Sequence, residues 1–241
     1  MSALSKSQGS RLDPILCYVT DRKSLSHTTT PLPESTLIQT IAAIASAGVD
    51  WIQLREKDMS AKALSHLARE VSRRTLAGPG DGRGAARIIV NDRIDVALSE
   101  STGGVHLGER SLPVDQARRL VESRLKAAPQ TQLPPKIFLL GVSCHSLEGA
   151  ISAADNGADY IFFGPIFATA SKAGMGEPQG TANLAEVCRS VAIPVLAIGG
   201  ITLENAATCI AAGATGIAAI RLFQDAPDPA AVIEGLRQRT A

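Results

Sequence analysis

Residues 160–165 read YIFFGP, and residues 195–200 read VLAIGG. Each is a short apolar run closed by a Gly-containing turn, and neither alternates between apolar and polar residues. A strand that is apolar on both faces must be covered on both, as in a parallel sheet with helices outside it. Comparable β-rich runs lie outward from these at 15–20, 51–56, 88–92, 104–108, 138–144 and 216–221. Helical patterns separate them. In the second, Leu64, Leu67, Ala68 and Val71 recur at three- and four-residue spacing and make one apolar stripe. Ser60 and Thr202 stand at N-cap positions ahead of the second and seventh helices. Gly48 and Gly157 stand where a left-handed residue ends a helix before the next strand.

Eight such alternations within 241 residues predict a single-domain (β/α)8 TIM barrel rather than an open doubly wound sheet. With 45% hydrophobic but only 3% aromatic residues, the expected core is Ala, Ile, Leu and Val. Residues 1–14 are polar, lack the apolar run of a signal peptide, and read as a flexible segment ahead of a catalytic barrel at 15–241. Three segments interrupt the rhythm. Residues 24–33 are a Thr/Pro-rich surface loop, and residues 77–86 (AGPGDGRGAA) a Gly-rich loop at the N-terminal face. Residues 169–180 follow strand six at the C-terminal face, and their Gly and Ser content predicts a mobile lid.

The net charge of +1 provides no long-range field to recruit nucleic acid or an anionic membrane, so an anion must be held by local groups. No stretch approaches the ~20 apolar residues that span a bilayer. Cys17, Cys144, Cys188 and Cys209 have no C-x-x-C spacing and read as free buried thiols in a reducing compartment. The expectation is a cytoplasmic protein whose partners are phosphorylated small molecules, with no nucleic acid and no membrane; a homo-oligomer stays open.

Side chains at the C-terminal ends of barrel strands face the site. Strand two ends in Gln53-Leu54-Arg55-Glu56-Lys57, and alternation puts Gln53, Arg55 and Lys57 on one side. That trio is an anion receptor, or else a solvated salt cluster with Glu56 and Asp58. Asn91-Asp92 suits a Mg²⁺ ion that bridges to phosphates, or Asp92 caps the next short helix. His106 is a hydrogen-bonded structural histidine or a catalytic one. Ser143 and His145 share a face without an evident acid partner, while Ser146 reads as an N-cap and Cys144 as packing. Thr169, Ser171 and Lys172 close over phosphate oxygens or form a polar surface loop. Gly199-Gly200 and Ile220-Arg221 stand where barrels hold phosphate, although Gly pairs also serve as plain turns.

QLREK (53–57), VND (90–92), GVHLG (104–108), GVSCHS (141–146), GPIFATASK (164–172) and IGGIT (198–202) together resemble the thiamine-phosphate synthase family and its relative, the thiazole tautomerase. The resemblance runs from ILCYVTDR (15–22) to AAIRLF (218–223) and is closer to the synthase. It implies a transferase that condenses 4-amino-2-methyl-5-(diphosphooxymethyl)pyrimidine with thiazole phosphate, or its carboxylate, through a pyrimidine-methyl cation. It implies that Gln53, Arg55, Lys57, Asn91 and Lys172 hold the pyrimidine diphosphate and that Asp92 binds Mg²⁺. Ser143, His145, Thr169 and Ser171 would contact pyrophosphate or the thiazole, and Gly200, Ile220 and Arg221 the thiazole phosphate. Arg55, Lys57, Ser143 and Lys172 would carry catalysis.

Two positions depart from the family's pattern. The second Mg²⁺ carboxylate is replaced by Ser111, which also stands ahead of Leu112-Pro113 as a helix cap, with Glu109 a nearby carboxylate. A strand-eight serine is replaced by Arg221, itself a competent phosphate donor. The alternatives are a metal-free tautomerase in which His145 moves a proton, favoured by Ser111, and a non-catalytic barrel that binds a phosphate ligand.

Overall fold

The apolar runs close into a parallel barrel in sequence order, β1-β2-β3-β4-β5-β6-β7-β8. The strands are β1 (Ile15–Val19), β2 (Trp51–Leu54), β3 (Arg87–Asn91), β4 (Gly104–Leu107), β5 (Leu139–Cys144), β6 (Tyr160–Phe163), β7 (Val195–Ile198) and β8 (Gly216–Ala219). This is a computed structural model, and it describes residues 13–25, 34–76, 78–80, 84–108, 110–127, 138–169 and 177–240. Closure is visible at Cys17, which is in register with Trp51 of β2 on one side and Ala218 of β8 on the other. Around the barrel run α1 (Glu34–Ser46), α2 (Ala61–Thr75), α3 (Ile94–Ser99), α4 (Val114–Ala127), α5 (Leu147–Asp155), α6 (Gly180–Ser190), α7 (Ala206–Ala211), α8 (Arg221–Gln224) and α9 (Pro229–Thr240).

Strand alternation divides the core into two shells. Outward-facing residues such as Leu16, Ile52, Val90 and Ile161 join the helix stripes, including the expected Leu64, Leu67, Ala68 and Val71, in one aliphatic shell. Cys17, Val19, Trp51, Ile89, Leu139, Tyr160, Phe162, Leu196 and Ala218 fill the barrel interior. Composition alone suggested an aliphatic core, and the interior departs from that. Three of the eight aromatics, Trp51, Tyr160 and Phe162, lie there, with Trp51 edge-on to Tyr160 at 4.8 Å between ring centroids. Wide rings fill the space inside a closed barrel with few side chains. The Tyr160 ring fits because β5 presents Gly141. A Cβ at that position would stand 2.0 Å from Tyr160 Cζ.

The strands stop one or two residues before the ends read from sequence at β1, β2, β3, β4, β6, β7 and β8. The residues beyond them turn into the mouth loops. Arg221 therefore opens α8 rather than ending β8. Ser60 and Ser146 cap α2 and α5, accepting from Ala63 and Gly149 N–H. Thr202 does not cap α7: it lies four residues ahead of it and closes a turn with Asn205 through two reciprocal bonds of 2.8 and 3.3 Å. Gly48 and Gly157 take the left-handed conformation expected of them, with φ of 101° and 95°. Most of the three irregular segments, at 26–33, 77, 81–83 and 170–176, lies outside the described residues.

At the N-terminal face, Arg237 of α9 donates to Asp50 Oδ2 at 2.6 Å and to the carbonyls of Pro14 and Gly48. The same carboxylate oxygen accepts from Leu16 N–H at 2.7 Å. One guanidinium therefore ties the last helix to the start of β1 and β2. All four cysteines are free and buried, as expected. No helix among the described residues is long and apolar enough to cross a membrane.

Gly141→Ala is expected to destabilise the fold by about 1–3 kcal/mol through overpacking against Tyr160. Chemical denaturation checks this, and an unchanged midpoint would mean that the ring can retreat.

Candidate active site at the barrel mouth

The mouth is organised from β1 and β2. Glu56 is 5% exposed, and a carboxylate so buried requires donors. Thr20 Oγ1 donates to it at 2.6 Å, and Arg22 donates through both its backbone N–H and its guanidinium. Thr20 Oγ1 in turn accepts from the Arg55 N–H at 2.9 Å. These bonds fix the backbone just past β2 with Glu56 turned away from the barrel axis and Arg55 turned towards it. Asp58 is likewise claimed by Arg22, at 2.6 and 2.8 Å, and by Lys23 at 3.0 Å. The salt-cluster reading of this stretch is thereby corrected: Glu56 and Asp58 pair with β1-side cations and leave Arg55 and Lys57 without an ion-pair partner among the described residues.

Lys57 lies close enough to Arg55 for that charge, more than burial, to hold its ammonium below the usual lysine range. Arg110 adds to the effect and Asp92 opposes it. Among the described residues, three cations thus share the mouth with Asp92. Arg69, Arg73, Arg93 and Arg119, by contrast, sit in ion pairs. Arg110 escaped the sequence reading because a lone charged residue in a loop has no periodicity to mark it.

Asp92 takes a left-handed backbone, φ 68°, uncommon for a residue with a side chain. Its N–H is held by the His106 carbonyl at 2.8 Å, and the neighbouring Arg93 N–H by the Asn91 carbonyl at 2.7 Å. The Asp92 side chain does not cap α3, which has no side-chain cap. Nor is Ser111 a helix cap. Its hydroxyl accepts from Gly108 N–H at 2.7 Å and bonds the Asp92 carboxylate. Ser111 therefore lies directly against Asp92. Glu109 is outside the described residues.

Gln53 and Asn91 come together on adjacent strands, with Gln53 Nε2 donating to Asn91 Oδ1 at 2.8 Å. Asn91 keeps its amide N–H donors for another acceptor. His106 is buried between Tyr160, 3.1 Å from Nδ1, and Ser143, 2.9 Å from Nε2. Burial first, and the Arg55 charge second, push its imidazolium down to about 3, so the ring is neutral at ordinary pH. His106 is thus a buried histidine with both ring nitrogens in hydrogen bonds.

Ser143 and His145 do not meet as a pair: Ser143 bonds His106, whereas His145 Nδ1 bonds the Gly164 carbonyl. A cleft of about 430 Å³ between α4 and α5 opens beside the mouth, lined by Ser111, Ser143 and His145 among others. At the far side, Gly200 and Ile220 flank the ends of β7 and β8, with Arg221 exposed at the start of α8. The bare faces of Gly199 and Gly200 admit the loop after β6: a Cβ on either would stand 2.6 Å from Pro165 Cβ or the Ala168 carbonyl. Thr169 is half-buried at the end of that loop, and Ser171 and Lys172 lie outside the described residues.

Comparison with known proteins decides the family. The model of the family described as thiamine monophosphate synthase matches residues 16–223. The chain belongs to the thiamine monophosphate synthase family. Among curated members, a thiamine-phosphate synthase of Methanoregula boonei is 44% identical over 200 residues, 83% of this chain and 84% of that one. One of Roseiflexus castenholzii is 38% identical over 222 residues, 92% and 86% of the two chains. Among solved structures, a thiamine phosphate pyrophosphorylase from Pyrococcus furiosus superposes with a TM-score of 0.74 at 28% identity, covering 94% of this chain and 95% of that one. Family membership accounts for the motifs.

The neutral form of His106 adds stability that is complete above its ordinary value of 6.5 and is lost as the pH falls towards about 3. Replacing it by Gln is expected to flatten the acid limb of a stability–pH curve over that window. An identical limb in both proteins would show that the imidazole titrates freely.

Proposed function

We propose that this chain is a thiamine-phosphate synthase, a transferase that joins the pyrimidine-methyl diphosphate to thiazole phosphate, or its carboxylate, and releases pyrophosphate. One observation carries the reading onto these residues: Arg55, Lys57 and Arg110 converge on a mouth where their neighbouring carboxylates are already engaged. Such an arrangement favours a dense anion, and a diphosphate is such an anion.

In this reading Gln53 and Asn91 orient the pyrimidine diphosphate, and Lys172 closes over it. The C–O bond to the diphosphate breaks with its electron pair leaving on pyrophosphate, and the thiazole nitrogen donates its lone pair to the methylene carbon. Arg55, Lys57 and Arg110 offset the charge that accumulates on the leaving group, and Ser143 donates to one of its oxygens. Thr169 and His145 contact the thiazole, whose phosphate sits against Gly200, Ile220 and Arg221; the roles of Ser171 and Lys172 rest on the family resemblance alone.

Mg²⁺ fits the oxygen set at Asp92 and Ser111. Such an ion takes one or two carboxylates and completes its shell with water and substrate phosphate. No group of three or more carboxylate, histidine or cysteine side chains suited to a metal occurs among the described residues. Bound there, Mg²⁺ would supply further charge neutralisation for pyrophosphate. A thiazole tautomerase moves a proton and releases no pyrophosphate, so it has no need of three cations.

Purified protein given both substrates with Mg²⁺ is expected to release pyrophosphate, and EDTA to stop it. Release that needs neither the thiazole phosphate nor the metal would overturn the reading. Arg55→Ala and Lys57→Ala should each lower turnover by ~10²–10³-fold with the fold intact. Ser111→Asp should lower the Mg²⁺ concentration needed for half-maximal activity; an unchanged requirement would place the metal elsewhere.

A further inference from the structure

Tyr160, His106 and Ser143 form a chain that leads from the barrel interior to the mouth. The Tyr160 hydroxyl lies 3.1 Å from His106 Nδ1, and His106 Nε2 lies 2.9 Å from Ser143 Oγ. The imidazole is clamped in this orientation: Phe162 packs against it at 4.2 Å between ring centroids, tilted by 36°, and Tyr160 lies at 5.5 Å. Tyr160 and His106 are 0% and 1% exposed, whereas Ser143 is half-buried at the end of β5.

A neutral imidazole has one donor and one acceptor, so the chain can run in only two directions. If Nδ1 carried the proton it would donate to Tyr160, whose own O–H would then point into a sealed interior without an acceptor among the described residues. A buried donor left unmade carries its full desolvation cost. In the other direction every buried donor is matched. Tyr160 O–H donates to Nδ1, Nε2–H donates to Ser143 Oγ, and the unmatched hydrogen falls on Ser143, where the mouth can use it.

From this, and resting on the synthase reading above, we infer that Tyr160 is a positioning residue: by fixing His106 as the Nε2–H tautomer it makes Ser143 a hydrogen-bond donor to an oxygen of the bound diphosphate. A diphosphate only accepts hydrogen bonds. A serine that spent its proton on Nε2 would present lone pairs to it and repel it. The direction of a hydrogen-bond chain set deep in the barrel therefore decides whether Ser143 attracts or opposes the anion. Gly141 belongs to the same device, since only a bare Cα there lets the Tyr160 ring reach Nδ1.

Two measurements on the full chain test this. Nitrogen-15 NMR of the histidine rings, with the His106 signals assigned by their loss in His106→Gln, should find the proton on Nε2; a proton on Nδ1 overturns the inference without any variant having to fold. Calorimetric titration with inorganic pyrophosphate in Mg²⁺ should show that Tyr160→Phe and Ser143→Ala each weaken binding by roughly three- to tenfold. The double variant should bind no worse than Ser143→Ala alone. Losses that simply multiply would mean that Tyr160 acts through general packing, and would overturn the relay. If the wild-type chain binds no pyrophosphate, the synthase reading fails and takes the Ser143 donation with it, while the ring-proton measurement still reports on the relay alone.

Discussion

A buried carboxylate cannot be left to itself, and at the barrel mouth Glu56 sets the terms for everything around it. Its demand for donors recruits Thr20 and Arg22 from the β1 side. That recruitment anchors the backbone amide of Arg55 and keeps both acidic residues of the 53–58 stretch engaged away from the axis. The positive charge of Arg55 and Lys57 then has little relief from their nearest acidic neighbours. Arg110 adds a third cation, and Asp92 is the carboxylate among the described residues that opposes them. The mouth keeps a surplus of positive charge, because Glu56 and Asp58 are spent on holding its shape.

Much of this was legible in the chain itself, for reasons that differ by level. The barrel was readable because eight doubly covered strands leave eight apolar runs, and helix stripes such as Leu64/Leu67/Ala68/Val71 keep a 3.6-residue period. The Gln53/Arg55/Lys57 side followed from alternation alone. What alternation could not supply was the pairing across elements. Nothing in Arg22 or Lys23 announces that they will take Asp58, some 35 residues on, so the salt-cluster reading stayed open. Ser111 looked like a helix cap because serine before Leu-Pro satisfies that pattern locally; its bond to Asp92 exists only once β3 and β4 lie side by side. Tyr160 was hidden in an apolar run, where its hydroxyl reads as incidental until the His106 ring is placed against it.

On the proposed reading, metal handling would turn on the same neighbourhood. Asp92 is presented from a left-handed backbone, its N–H held by the His106 carbonyl of β4. Ser111 adds an oxygen but no charge. A site with one formal negative charge would retain a dication less firmly than one with two, leaving more of its coordination to water and substrate phosphate. The surplus of basic side chains would then suit a ligand that brings more negative charge than one metal ion cancels.

The arrangement at the opposite face has a bearing on how the molecule is made. β1 finds its second neighbour only in β8 at Gly216–Ala219, and Arg237 of the last helix then locks the entrance of β1 and β2. A chain emerging from the ribosome from its N-terminus must expose one open edge of β1 through nearly all of its synthesis. Contacts of such long sequence separation form late, and an unpaired edge invites pairing with another nascent copy. The final helix is thus the latch of the assembly process, and shortening it would be felt first as poor yield of folded protein rather than as a fault in chemistry at the far end of the barrel.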